Sequence, residues 1–220
     1  MNILAFGCSN TYGQALGNEG QNDPSPLAWP GKLAELYNCT VENQGQCGAS
    51  NKSILHRILN YNYKPNDVVF VCWTNLDRWS IIQKDDILDI GIWHVDEKFK
   101  YNNKGDINLQ HKISKIFFEV MHDYNDMILD YYRNCMLAHY FLNDRLIKNF
   151  HTATAEYDKL STVWFDHKKY LMPDSHFYNN WHKYPLAEDN CHPGPLAHVE
   201  LAEKLYNYSK DKLLEEGLNI

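Results

Sequence analysis

The chain has 220 residues, 44% of them hydrophobic, which suffices for one sizeable core and excludes a disordered or fibrous protein. Twenty-eight acidic against 21 basic residues give a formal net charge of −7, so no general attraction to nucleic-acid phosphates or anionic membranes is built in. No apolar stretch reaches the length of a membrane span, and the opening MNILAFGCSN has neither a basic flank nor the apolar length of a secretion signal. The expectation is a cytoplasmic or otherwise intracellular protein. Its six cysteines are then reduced thiols.

In chain order, Asn2 to Phe6 is a short apolar run ending at Gly7, a strand. Leu27 to Tyr37 repeats with helical spacing, Thr40 to Asn43 is extended, and Ser50 to Leu59 is again helical through Ile54, Leu55, Ile58 and Leu59. Asp67 to Cys72 is a second buried strand, rich in β-branched residues. This β-α-β-α-β alternation predicts an α/β protein with a parallel sheet and helices on both faces. From about 76 to 147 a helical and aromatic section is inserted: polar, aromatic and aperiodic to about Gly105, then two long helices, the second over Asn125 to Leu146. Lys148 to Thr154 reads as a further strand, Val163 to Asp189 as a long loop loaded with Trp, Tyr, His and Asp, and Gly194 to Glu215 as the last helix. No internal repeat is present, and residues 1–220 read as one domain.

Ligands of an open parallel sheet sit beyond the carboxyl ends of its strands. The residues there are Gly7-Cys8-Ser9 after the first strand, Asn43 to Asn51 after the second, and Trp73-Thr74-Asn75 after the third; Asp189-Asn190-Cys191-His192-Pro193 precedes the last helix. A serine at a strand-to-helix turn exposes its hydroxyl and aims its own N–H into the crevice. A glycine at these strand ends can add a second backbone donor and an asparagine an amide, together an oxyanion hole. Asp189 and His192, three apart in one turn, place a carboxylate on an imidazole whose other nitrogen can face Ser9, the nucleophile, base and orienter of acyl transfer.

Alone, Ser9 would serve as an ordinary helix N-cap and Gly48 and Asn75 as turn formers. Cys8, Cys47 and Cys191 adjoin candidate residues and read as small packing groups. The histidines show no paired metal-ligand spacing, and neither metal nor cofactor is expected. Aromatic residues crowd the polar loops, and flat rings beside polar groups suit sugar or aryl ester binding; Trp73, Trp79 and Trp181 are the candidate substrate contacts.

The four blocks, in this order, resemble the SGNH (GDSL-like) hydrolases. Gly7-Cys8-Ser9 matches the Gly-Asp-Ser block with Cys in place of Asp. Asn43 and Gly48 match the Asn and oxyanion Gly of the second block, Asn75 alone matches the third, and Asp189 to Pro193 match Asp-x-x-His-Pro in full. The resemblance covers residues 1–79 and 186–210. It implies a three-layer α/β/α flavodoxin-like fold and a cofactor-free ester hydrolase, with Ser9, Asp189 and His192 catalytic and Ser9, Gly48 and Asn75 in the oxyanion hole. The substrate implied is a small or carbohydrate-linked acyl ester. The alternative is a non-catalytic binding or structural domain, for example in a viral or surface assembly, that retains the hydrolase fold.

Overall fold

The computed structural model describes residues 1–17, 22–82, 86–96, 107–154, 171–173 and 183–215. Four strands, β1 (Asn2–Gly7), β2 (Thr40–Gly45), β3 (Asp67–Trp73) and β6 (Lys148–Ala153), form one parallel sheet in the order β2-β1-β3-β6. In register, Ala5 faces Asn43 on one side and Phe70 on the other, and Phe70 in turn faces Phe150. The central strands read as continuous apolar runs because both of their faces are covered. β3 is buried along its whole length, whereas the polar edge strand β2 is buried nowhere.

Successive strand residues point to opposite faces, and the core divides accordingly. Leu4, Phe6, Val69, Val71 and Trp73 pack against α3 (Asn51–Asn60) and α5 (Tyr124–Asp144). Ile3, Ala5, Val68, Phe70 and Cys72 pack against α2 (Trp29–Tyr37) and the last helix, α6 (Pro195–Glu215). The result is three layers, α/β/α. α2 and α6 are joined on their buried side by a 2.7 Å hydrogen bond between Tyr37 and Ser209, and burial pushes the Tyr37 phenol up to about 12.

Between β3 and β6 the chain departs from the aperiodic loop expected of it. Arg78–Ile82 (β4) and Ile87–Gly91 (β5) pair as an antiparallel hairpin outside the main sheet. A 3₁₀ turn (Ile92–Val95), α4 (Ile107–Ile116) and a π-helical turn (Phe117–Met121) follow, and then α5. α5 is N-capped by Asp123, whose carboxylate accepts from the N–H groups of Asn125 and Asp126 at 3.0 Å. Two large apolar residues of this stretch lie outside the core: Leu137 is exposed, and Leu146 sits in a left-handed turn (φ 57°) beyond the helix end. Among the described residues, no helix is long and apolar enough to cross a membrane.

Strand order fixes where a ligand can bind. From β1 the chain moves to one side to make β2 and returns to the other side to make β3. In open sheets of this kind such a reversal marks the place where ligands bind, here beyond the carboxyl ends of β1 and β3. Ser9 follows the first of these ends and Asn75 the second.

Candidate active site

Ser9 opens α1 (Ser9–Tyr12), a single turn folded back over the ends of β1 and β2. A Cβ at Gly7 would overlap the Thr11 side chain, so only glycine lets the chain reverse there. The Cys8 carbonyl takes the N–H groups of Thr11 and Tyr12 at 3.0 and 2.9 Å. The Ser9 N–H, first in the turn, has no intrahelical acceptor. Asn43, at the end of β2, donates to the Thr11 carbonyl at 2.7 Å and clamps the turn from the side. One expectation is corrected here: Ser9 is 2% exposed rather than presenting an open hydroxyl, because the turn lies down on the strand ends instead of projecting from them.

The loop carrying Gly48 is held from both directions. Gln46 N–H donates to the Gly7 carbonyl at 3.1 Å, and Gly48 itself has φ 80°, a left-handed conformation that suits glycine. Beyond it, Arg78 donates to the Ala49 carbonyl at 3.4 Å and Asp89 accepts the Ser50 N–H at 3.0 Å. The β4–β5 hairpin therefore braces the backbone on the far side of Gly48. Burial raises the Asp89 carboxyl above its ordinary value, opposed by hydrogen bonds from the Ser80 hydroxyl and the Ser50 N–H and by the charge of Arg57. Arg57 reaches from α3 to the carbonyls of Gly7 (3.0 Å) and Gln44, closing the ends of β1 and β2. Burial lowers its guanidinium to about 10, still protonated at neutral pH.

Asn75 stands half-buried one residue past a fixed point. Asn51, at the start of α3, accepts the Thr74 N–H at 2.8 Å and donates to the Thr74 carbonyl at 3.0 Å. The same side chain thus couples the Gly48 loop to the Asn75 loop. Thr154 closes the other side, donating to the Trp73 carbonyl through its N–H at 2.8 Å and its hydroxyl at 2.7 Å.

At the third wall, His192 Nδ1 meets Asp189 Oδ2 at 2.5 Å. The second oxygen of Asp189 accepts the N–H groups of Cys191 (2.9 Å) and His192 (3.0 Å), so carboxylate and ring are held by one tight turn with Asn190 at φ 55°. Burial acts to raise the Asp189 carboxyl. The two N–H groups and the imidazole outweigh it, and the group lies below its ordinary value. Glu188 N–H donates to the Ala15 carbonyl at 3.4 Å, and Ala187 packs with Ala15, Leu16 and Ala28, which brings this loop onto the segment that follows the Ser9 turn. The ring's hydrogen bond runs to Asp189; among the described residues none joins it to the Ser9 hydroxyl.

The aromatic candidates fare differently. Trp73 is fully buried, its indole donating to His151 Nδ1 at 3.1 Å and stacking on that ring, so it is core and offers no surface to a substrate. Trp79 stacks on Phe117 with centroids 4.4 Å apart and lines a cavity of about 350 Å³ between α3, α5 and β4. None of Ser9, Asp189 and His192 lines that cavity. Trp181 lies outside the described residues. The six cysteines are free, and burial pushes the Cys47 thiol up to about 12 and Cys72 well above its ordinary value, so both are protonated packing groups at neutral pH. Among the described residues, no group of three or more His, Cys, Asp or Glu side chains is disposed to hold a metal ion. Sequence reasoning overlooked Arg57 and Asn51; the one available signal was a charged residue on the helical face shared by Ile54 and Ile58.

No protein-family model matches the chain, and no curated protein matches it by sequence. Among solved structures it is similar to a member of the lipolytic protein G-D-S-L family from Veillonella parvula, 13% identical over 94% of this chain and 97% of that one, with a TM-score of 0.46. It is also similar to AlinE4, an SGNH-hydrolase family esterase, at 15% identity over 99% and 97% of the two chains and a TM-score of 0.45. A third similarity is to an acetyl xylan esterase from the rumen bacterium Butyrivibrio proteoclasticus, 14% identical over 96% of this chain and 64% of that one, with a TM-score of 0.43.

Proposed function

We propose that the chain is a serine ester hydrolase of the SGNH (GDSL-like) type, a single domain acting without cofactor on a small or carbohydrate-linked acyl ester. The observation that carries this reading is the Asp189–His192 pair, 2.5 Å apart in a loop hydrogen-bonded to the segment just after Ser9. A carboxylate on Nδ1 fixes the tautomer and leaves Nε2 to act as base. Ser9 Oγ attacks the acyl carbon while His192 Nε2 takes its proton. The negative charge that moves to the carbonyl oxygen is received by the Ser9 N–H, the Gly48 N–H and the Asn75 amide. Collapse expels the alcohol, which takes the proton from His192 and leaves Ser9 acylated; a water deprotonated by the same ring then releases the acid. The substrate side of the reading rests on the sequence alone, whose polar segments are rich in aromatic residues. It is tested by release of p-nitrophenol from p-nitrophenyl acetate. Turnover that disappears in both Ser9→Ala and His192→Ala supports the reading, and turnover retained by either variant removes it.

A further inference from the structure

Strand alternation puts Arg78 and Ser80 on one face of the β4–β5 hairpin, and the pairing of Ser80 with Asp89 brings the carboxylate onto that same face. All three side chains reach the segment that follows Gly48. Asp89 Oδ1 accepts the Ser50 N–H at 3.0 Å, and Arg78 Nη1 donates to the Ala49 carbonyl at 3.4 Å. That N–H and that carbonyl belong to one peptide group, so the hairpin holds a single peptide unit from both sides. The Ser50 hydroxyl meets that of Ser80, which donates in turn to Asp89 Oδ1. An ionised carboxylate accepts only, and this directs both hydroxyls toward Asp89, while Ser50 Oγ accepts the Ser53 N–H at 3.1 Å and caps α3.

We infer that Asp89 is a positioning residue for the oxyanion hole, acting with Arg78 on the Ala49–Ser50 peptide so that the Gly48 N–H keeps its direction. This rests on the serine hydrolase reading above. Residues Gln46 to Ala49 form a turn closed by the Ala49 N–H on the Gln46 carbonyl at 3.2 Å, with Gly48 third at φ 80°, the pattern of a type II turn. Glycine takes positive and negative φ about equally, so this corner does not fix itself. Its direction is set by what holds its two ends. At the entry the Gln46 N–H donates to the Gly7 carbonyl at 3.1 Å, two residues before Ser9. At the exit the peptide that follows Ala49 is held by Asp89 and Arg78. A backbone donor freed at one end by a fraction of an ångström leaves substrate binding intact and meets the developing oxyanion poorly.

Asp89→Asn keeps an oxygen at the place of Oδ1 for the Ser50 N–H and the Ser80 hydroxyl, and Asp89→Ala removes it. Wild type and both variants are compared by melting curve, by kcat and KM on p-nitrophenyl acetate, and by the rate of fluorophosphonate labelling, whose transition state places a charged oxygen in the same hole. In Asp89→Ala, kcat and the labelling rate are expected to fall together, roughly 10- to 100-fold at unchanged KM, less than the loss of a whole donor and of the order that a small misplacement produces. Asp89→Asn is expected to keep most of both rates. Unaltered rates in a folded Asp89→Ala, an effect confined to KM, or an equal loss in Asp89→Asn overturns the inference. If Asp89→Ala does not fold, Arg78→Met, which frees the carbonyl side of the same peptide, decides: a fall of kcat and labelling at unchanged KM supports the inference, and unaltered rates overturn it, as does failure of both variants to fold. The hydrolase reading fails distinguishably. A wild type that neither turns over the ester nor is labelled removes that reading and this inference together, whereas an active, labelled wild type beside an unaltered Asp89→Ala removes this inference alone.

Discussion

Two histidine environments differ in what meets the ring nitrogens. His192 is half-buried in a loop, against a carboxylate at 2.5 Å. His151, on β6, is fully buried among neutral partners, its Nδ1 accepting from the Trp73 indole at 3.1 Å and its Nε2 donating to Asn149 Oδ1 at 2.9 Å. Burial, with His139 as a second cause, lowers the His151 ring to about 3, which fixes it as the neutral form. The difference teaches what a buried imidazole is for: with neutral partners on both nitrogens it can only hold its neighbours, whereas a carboxylate on one nitrogen and a crevice on the other allow it to take and return a proton.

In the proposed mechanism the proton comes from Ser9, and the largest effect is expected there. Ser9→Ala is expected to lower kcat by roughly 10⁴- to 10⁶-fold while the circular dichroism spectrum and melting curve stay those of wild type. A smaller effect follows at the carboxylate. Asp189→Asn makes the His192 environment resemble that of His151, a ring between neutral partners, and kcat is expected to fall by up to roughly 10⁴-fold as the tautomer is lost. Since the Asp189 carboxyl lies below its ordinary value when folded, the stability it contributes is present above the unfolded value of about 3.9 and is lost as pH falls through the folded one. Acid titration of stability in Asp189→Asn therefore lacks a step below about pH 4 that wild type shows.

Asn75→Ala comes next, with kcat expected to drop roughly 10²- to 10³-fold and KM nearly unchanged, the mark of a donor used in the transition state. An effect confined to KM would assign Asn75 to substrate binding alone. His151→Leu has the least effect on rate: most activity is expected to remain, while stability falls by about 1–3 kcal/mol because the Trp73 indole and Asn149 each lose a buried partner. Its pH dependence carries the sign. Wild-type His151 binds a proton in the unfolded chain below about 6.5 but not in the folded one until about 3, so wild-type stability declines between those values as pH falls. In His151→Leu that decline is shallower by up to one proton, as read from urea unfolding at several pH values.

How much of this was visible in the sequence depends on how local the cause is. β1 and β3 announce themselves as apolar runs between turn residues, and the helices around Leu33, Ile54 and Leu205 repeat at 3.6; the structure has them within one or two residues of the expected limits. The pairing of Asp189 with His192 was equally legible, because both groups belong to one turn. The β4–β5 hairpin was not. Its Ser80 and Asp89 side chains are turned inward, toward Ser50 and Arg57 some 30 residues away, so its stabilising contacts leave no local pattern. Trp73 was misread for a related reason: adjacency to a strand end says nothing about which face of β3 the indole takes, and the answer lies with His151 on β6. His198 looked like one more helical residue until Trp29, 169 positions away, supplied its partner.

In the proposed mechanism the Asp189–His192 pair activates the Ser9 hydroxyl rather than a neighbouring thiol. The most direct measurement is the site of the covalent adduct after treatment with a fluorophosphonate, located by peptide mass spectrometry in wild type, Cys8→Ser and Asp189→Asn. One adduct is expected, on Ser9, formed at nearly the wild-type rate in Cys8→Ser and far more slowly in Asp189→Asn. An adduct on Cys8, or labelling of Ser9 at an undiminished rate in Asp189→Asn, would contradict it.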